Sequence, residues 1–460
     1  MLLGMDRGGN GLAFWKNEHV TPAQVIILGF LLLILTGTGL LMLPISSRSP
    51  GGAPFLDALF TAASATCVTG LVLHDTVTYW SEFGQAVILL LIQTGGMGVV
   101  TTAVAVSLFT GKRIGLRQRC LMQEATAAPQ VGGIIRMAGF ILKATFLMEA
   151  AGTLFLALRF CPEMGLFPGL WFSLFHSVSA FCNAGFDLMG AAGPFSSLTN
   201  YVGDPLVCGT IMGLIVAGGI GFFTWEDLCR HRWHLHAYRL QSKLILTITA
   251  ALILLPALAL YLFEFSQPRW ETLTFSERLL ASLFQSVTPR TAGFNTVDLT
   301  RLAGSSQMLL ILLMLVGGSP GSTAGGFKTT TLATFLLSVR SVFQKRESIQ
   351  CFGRRLPPAT LRSAVSICTL YATLFLTAGV LISAWDGVPL SCALFETASA
   401  IGTVGLSLGI TPELSGLSRL VLILLMYFGR VGGLTMMYAL LSTSHVPAPA
   451  QLPMEKIAVG

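Results

Sequence analysis

The sequence predicts an all-α polytopic membrane protein, built as four span–pore helix–span repeats around a pseudo-fourfold pore. Three observations carry this. Of the 460 residues, 53% are hydrophobic and 11% charged, and mean hydropathy is +0.73, far from soluble globular composition. Long apolar runs alternate with shorter ones. A short glycine-bearing motif recurs four times at near-regular spacing.

A membrane helix needs about 20 apolar residues. Eight segments meet that length: 22–43, 83–109, 136–160, 205–225, 243–265, 305–340, 363–385 and 417–441. The first is read as a retained span, because no small-residue cleavage site follows Val25–Leu43. The sixth is broken by GGSPGSTAGG (317–326). Shorter apolar runs near 54–66, 168–181, 276–288 and 390–401 lie between the members of each pair. They are too short to span and fit re-entrant segments, allowed where protein or a watery cavity covers the backbone. The repeats are bounded as 21–110, 111–228, 229–342 and 343–442, between an N-terminus of 1–20 and a C-terminus of 443–460.

Charge orients the chain. With the N-terminus in the cytoplasm, the inner loops and tails collect eighteen Lys and Arg against seven outside. Both termini are therefore expected in the cytoplasm of a cell-membrane protein. The net charge of +7 follows without nucleic acid. The nine cysteines are odd in number and form no CxxC, so neither a disulfide framework nor a zinc site is expected.

In this topology each short run ends outside, on one motif: CVTGL (67–71), CNAGF (182–186), RTAGF (290–294) and GTVGL (402–406). The glycines Gly70, Gly185, Gly293 and Gly405 are 108 to 115 residues apart, and such periodicity marks internal repeats. Glycine pairs echo it downstream, in QTGGMG (93–98), VAGGIG (216–221), VGGSPG (316–321) and GRVGG (429–433). Four backbone loops around one axis can replace an ion's water shell with carbonyls. The candidate ion-filter residues, with potassium as the ion, are Cys67, Val68, Thr69 and Gly70; Cys182, Asn183, Ala184 and Gly185; Arg290, Thr291, Ala292 and Gly293; and Gly402, Thr403, Val404 and Gly405. Glycine supplies the angles that inward-pointing carbonyls demand, and the C-terminal ends of the short helices favour a cation.

These motifs, with GGSPGSTAGGFKTTT (317–331) and FGRVGGLTM (428–436), resemble the Ktr/Trk/HKT superfamily of cation transporters. The short N-terminus is more similar to its KtrB-type branch than to the TrkH-type. The resemblance implies potassium uptake, and a homodimer seated on a cytosolic KtrA-like nucleotide-binding ring. It implies no tightly bound cofactor; potassium is the transported ion, and sodium is carried as a candidate activator. Serine at the first filter glycine marks sodium-carrying relatives; all four positions here are glycine. Gly405 is followed by Leu406 and Ser407, not Tyr-Gly, so looser discrimination against sodium is expected.

The broken sixth span is the candidate gate: Gly317, Gly318, Ser319, Pro320, Gly321, Ser322, Thr323, Ala324, Gly325 and Gly326, with Lys328 and Arg430. Glycine and proline at this density cannot hold a helix. Arg430 has no acidic residue within 305–340 or 417–441, so the loop's free carbonyls are its expected acceptors. Lys328 adds a second positive charge to the barrier.

Other groups are weaker signals. Asp75, Asp187 and Asp298 follow three of the glycines and could form an acidic mouth, with Ile410 breaking the pattern in the fourth repeat. Arg290 should point behind its strand, with Glu396 as a candidate partner. Glu149 has no assigned role, and Lys143 fits snorkelling. His231, His234 and His236 read as a basic membrane-surface loop rather than a metal site. GGSPG matches a nucleophile elbow, but it interrupts a membrane helix, and the one later histidine is His445. No enzyme activity is expected, and no phosphate-binding loop is found. The alternatives are a sodium-conducting or TrkH-type transporter, and a membrane scaffold whose axis would be filled by large side chains.

Overall fold

The computed structural model describes residues 21–49, 51–109, 119–123, 134–191, 193–232, 234–346, 348–433 and 435–436. The expectations for the N-terminus 1–20, the C-terminus 443–460 and the basic residues Lys112, Arg113 and Arg117 lie outside these residues.

Each repeat opens with a long apolar helix. These are α1 (Pro22–Leu41), α5 (Ile134–Met164), α9 (Leu240–Leu260) and α13 (Pro358–Asp386). With the π-turn Tyr261–Phe265 that extends α9, they run 20, 31, 26 and 29 residues at mean hydropathies of 1.6 to 2.4, enough to cross a membrane. Thr21 starts α1 with a capping box: its hydroxyl accepts from Gln24 N (3.3 Å) and its own N–H donates to Gln24 Oε1 (3.0 Å). The long helices present Leu32, Leu147 and Leu254 outward, each more than 60% exposed, as lipid-facing positions do.

A short helix follows each of them: α2 (Phe55–Thr66), α6 (Leu166–Phe181), α10 (Phe275–Val287) and α14 (Leu390–Gly402). They lie where the sequence placed the re-entrant runs. The C-terminal turns of all four are buried, without a break in Phe175–Phe181 and Phe395–Gly402.

The closing helices differ from expectation. The runs 83–109 and 205–225 are not continuous spans. The first is α3 (Glu82–Met97) and α4 (Val99–Phe109), bent by 98°; the second is α7 (Pro205–Gly219) and α8 (Phe222–His231), also bent by 98°. The hinge residues Gly98 and Gly221 both have φ +86°, a conformation that ends a helix and is open to glycine. The third repeat stops α11 (Gly304–Leu315) and resumes as α12 (Thr329–Phe343); in the fourth, α15 (Gly416–Val431) ends at Gly432, φ +94°. The glycine-rich motifs in the sequence thus mark a break in all four repeats, at Gly98 and Gly221 just after the pairs in the first two and at the pairs themselves in the last two. Among the described residues, four helices are by length and composition long and apolar enough to cross a membrane, or up to six if each bent pair is one span. Beyond α12, two-residue strands β1 (Gln350–Cys351) and β2 (Arg354–Arg355) form a hairpin.

Close packing depends on small residues. A β-carbon at Gly95 on α3 would lie 2.8 Å from the carbonyl carbon of Thr66 on α2. Gly95→Ala should therefore destabilise the protein by about 1–3 kcal/mol, seen as a lower melting temperature by circular dichroism in detergent. An unchanged melting temperature would contradict this α2–α3 approach.

Candidate functional site

The four motifs that follow the short helices share one backbone form. Val68, Asn183, Thr291 and Thr403 have φ of +55°, +59°, +64° and +51°, and Gly70, Gly185, Gly293 and Gly405 have φ of +90°, +73°, +80° and +94°. The residue between has negative φ. Alternating handedness turns successive carbonyls to the same side of a strand. Three of the four left-handed residues are β-branched, where this conformation is strained.

The strands close into a ring in chain order. A β-carbon at Gly70 would sit 2.5 Å from the carbonyl oxygen of Ala184, and one at Gly185 would sit 2.9 Å from that of Ala292. One at Gly293 would strike the carbonyl of Val404, and one at Gly405 that of Thr69. Each glycine thus faces the carbonyl that precedes the next repeat's glycine, and the fourth meets the first. A side chain at any of these positions would force the neighbouring backbone to shift.

The short helices hold the strands. Thr69 N donates to Ser64 O (2.8 Å), Ala184 N to Ser179 O (2.7 Å) and Val404 N to Ser399 O (2.8 Å). The Ser64 and Ser399 hydroxyls accept from Gly70 N (3.1 Å) and Gly405 N (3.0 Å). Ser179 Oγ donates to Phe186 O (2.7 Å), and Thr288 Oγ1 to Phe294 O (2.5 Å). Sequence reasoning missed these hydroxyls. Their signal was present: SATCVTG, SAFCNAG and SAIGTVG carry the same serine six residues before the glycine.

Two cavities flank the ring. On one side the four glycines line a vestibule of about 230 Å³, shared with Asp75, Asp187, Asp298, Ser197 and Asn295. On the other, a cavity of about 360 Å³ is lined by Gly96, Gly98, Phe222, Ser322, Lys328, Arg430 and Gly432. Residues 317–326 lie between this cavity and the ring. Gly317 N donates to Phe327 O (2.9 Å) and Thr329 N to Gly318 O (3.0 Å), pinning the loop's ends, while Ser319 Oγ shares a hydrogen bond with Thr329 Oγ1 (2.9 Å). Ser319 N and Thr323 N donate to Gly219 O (2.9 Å) and Gly218 O (3.3 Å) at the break of the second repeat, and Phe222 N returns a bond to Gly321 O (2.8 Å). A β-carbon at Gly325 would strike the Thr403 side chain, and Gly326 packs on Gly402. Pro320 and Ala324 complete the cavity wall.

Arg430 crosses this region. Its guanidinium donates to the carbonyls of Thr323 and Gly95, and to that of Gly96 at 2.9 Å. The loop was expected to supply the acceptors; it supplies one, and α3 of the first repeat supplies two. Lys328 turns back on the loop, donating to Ala324 O (2.8 Å) and Gly325 O (3.4 Å).

The pairing of Arg290 with Glu396 is not found. Arg290 does point behind its strand, where Nη2 donates to Thr249 Oγ1 at 3.3 Å, and Nε is buried without a partner. Glu396 is taken by nearer donors: Ser407 Oγ (2.6 Å), Thr411 Oγ1 (2.7 Å) and Leu408 N (3.1 Å). They lie on the chain directly after its own strand. Glu149 is buried and accepts from Gln93 Nε2 (3.2 Å). Lys143 is exposed. The nine cysteines are free, and among the described residues no group of three metal-ligating side chains is found.

A sequence profile of the family described as TrkH, cation transport protein, matches residues 15–447. The chain belongs to this cation transport protein family. It is 40% identical to the Ktr system potassium uptake protein B of Bacillus subtilis, covering 94% of this chain and 95% of that one. It is 37% identical to the potassium/sodium uptake protein NtpJ of Enterococcus hirae, over 96% and 98%. Among solved structures, the fold is similar to that of the potassium transporter TrkH from Vibrio parahaemolyticus, with TM-score 0.71 and 21% identity, covering 93% of this chain and 86% of that one. The chain is therefore a multi-pass membrane protein of a cation-transporting family.

The vestibule of this family member is acidic, but its carboxylates are engaged. Asp75 accepts from Val77 N, Thr78 N and Phe195 N (3.1–3.2 Å), and Asp298 from Thr300 N (3.0 Å). Burial pushes the Asp187 carboxyl up to about 6, and the charge of Asp75 adds to the rise. The folded protein thus favours neutral Asp187. Its stabilising contribution is full below the ordinary carboxylate range and is lost as pH rises from about 4 to about 6. Asp187→Asn should flatten this part of the melting temperature's pH profile; an unchanged difference between pH 4 and pH 6 would show that Asp187 titrates normally.

Proposed function

We propose that the chain is a potassium uptake transporter, in which the four-strand ring selects the ion and the 317–326 loop closes the path beneath it. The observation that carries this reading is the cyclic approach of each glycine to the next repeat's carbonyl. Carbonyls gathered at one axis are the groups that can replace an ion's hydration shell. Buried hydroxyls at Thr66, Thr69, Thr291 and Thr403 without protein partners are what a hydrated-ion path needs along its wall. The names of the relatives, potassium uptake and potassium/sodium uptake, point the same way. A scaffold would fill the axis with large side chains, whereas glycines meet here.

Sodium is the second reading. It rests on Leu406 and Ser407 after the last glycine and on the potassium/sodium uptake relative. Selection is then a preference, with both ions entering.

The repeats 21–110, 111–228, 229–342 and 343–442 are the units of this pore, with both termini in the cytoplasm. A homodimer on a KtrA-like nucleotide-binding ring would supply regulation. The sequence carries no phosphate loop of its own, and the exposed Arg354 and Arg355 of the β1–β2 hairpin offer positive charge for docking.

Two measurements test the reading. Gly405→Ser forces a side chain into φ +94° against Thr69, at a strain of about 1 kcal/mol or more. It should lower the rubidium-over-sodium flux ratio in liposomes roughly fivefold or more; a wild-type ratio would reject the selecting role of the ring. Arg430→Ala removes three carbonyl contacts and should raise flux several-fold in well-folded protein. Equal or lower flux would reject the closing role of the loop and leave the ring untouched.

A further inference from the structure

Besides the contacts of Gly325 and Gly326 with the fourth strand, a side-chain hydrogen bond fastens the loop to the ring. Thr323 is fully buried, and its hydroxyl lies 2.9 Å from Asn183 Oδ1 and 3.0 Å from Phe181 O. Its carbonyl oxygen is the one that Arg430 holds. One loop residue therefore faces the clamp with its backbone and the second strand with its side chain.

Asn183 differs from its counterparts. The left-handed position holds Val68, Thr291 and Thr403 in the other strands; only here does it carry an amide. The Nδ2 group donates to Ile215 O and Arg290 O, both at 3.4 Å. Asn183 thereby ties the second strand to α7 and to the third strand, while its oxygen takes the loop. The contact is tight: a β-carbon at Gly218 would lie 2.6 Å from Asn183 Oδ1 and 2.7 Å from Thr323 Oγ1. A loop that swings aside must break this bond. The amide oxygen is then left buried without a donor, a state that costs more than the bond itself contributes. The second strand and its link to Arg290 O would adjust.

We propose that the Thr323–Asn183 hydrogen bond couples the loop to the ring, and that Asn183 is a positioning residue for ion selection. The ring keeps its most selective form while the loop is docked, and relaxes as the loop leaves. This rests on the selecting and closing roles proposed above. It adds that the two are not independent.

Rubidium and sodium binding to the full chain in detergent tests it, read as the rubidium-over-sodium affinity ratio of the loop-docked state, with liposome fluxes recorded beside it. Thr323→Val is nearly isosteric, keeps the carbonyl that Arg430 uses and removes only the hydroxyl. It should lower the rubidium-over-sodium ratio about fivefold, as expected for one buried hydrogen bond, and Thr323→Ser should restore it. Asn183→Thr places in the second strand the residue that the third and fourth already carry at this angle. It should lower the ratio similarly, and the double variant should fall no further. If Thr323→Val raises both fluxes equally at an unchanged ratio, the loop is an independent plug and the coupling is rejected. Losses that multiply in the double variant reject it too. Gly405→Ser is the control. If it moves the ratio and Thr323→Val does not, the coupling fails alone. If neither moves it, the ring does not select and this proposal falls with that reading.

Discussion

Non-helical backbone cannot face lipid, and the rest of this structure depends on that constraint. A peptide group left unpaired in hydrocarbon costs several kcal/mol. The four glycine motifs and the run from Val316 to Lys328 abandon the helix and are mostly buried. None could stand alone. The four strands wall one another by meeting glycine to carbonyl around the ring. The short helices then supply donors and acceptors from behind, through Ser64, Ser179, Thr288 and Ser399. The strained left-handed valine and threonines persist because these contacts over-determine them.

The loop obeys the same rule by a different route. Its amides pair with the carbonyls exposed where α7 ends, and its ends close on each other through Gly317 and Phe327. Broken helices supply what the loop lacks, and the loop satisfies what the breaks expose. Arg430 completes the exchange: a cation with no ion pair among the described residues is held by carbonyls freed at the loop and at the end of α3.

Buried charges divide into satisfied and unsatisfied. Glu396 accepts three hydrogen bonds, and Glu264 accepts from Trp270 Nε1 (2.9 Å), Ser306 Oγ (2.6 Å) and Ala303 N (3.1 Å). These brace the chain outside the ring. Arg290 has one long bond to Thr249 and a bare Nε. A guanidinium so placed is expensive, and it sits three residues before Gly293. The fourfold likeness of the strands therefore ends at their backs. Asn183, Arg290 and the Glu396 cluster give three of the four quadrants different surroundings for the same backbone.

The sequence by itself determined the class, the long opening helices, the four short helices and the four glycine positions. Each rests on a local property: apolar length, or a glycine recurring at fixed spacing. The Ser-Ala pair before the glycine was equally local and was legible in three repeats. Other features were decided by contacts between residues far apart in the chain. Nothing near Arg430 in sequence names Gly95 and Gly96 as acceptors, because those carbonyls are free only where α3 ends and lie near only once the first and fourth repeats meet. Pairing Arg290 with Glu396 followed from opposite charge alone, and failed because nearer hydroxyls and an amide satisfy Glu396. The bends at Gly98 and Gly221 were hidden inside runs apolar enough to pass as spans. Composition reports how much chain lipid can accept; only the folded ring and loop decide where that chain must turn to keep its backbone paired.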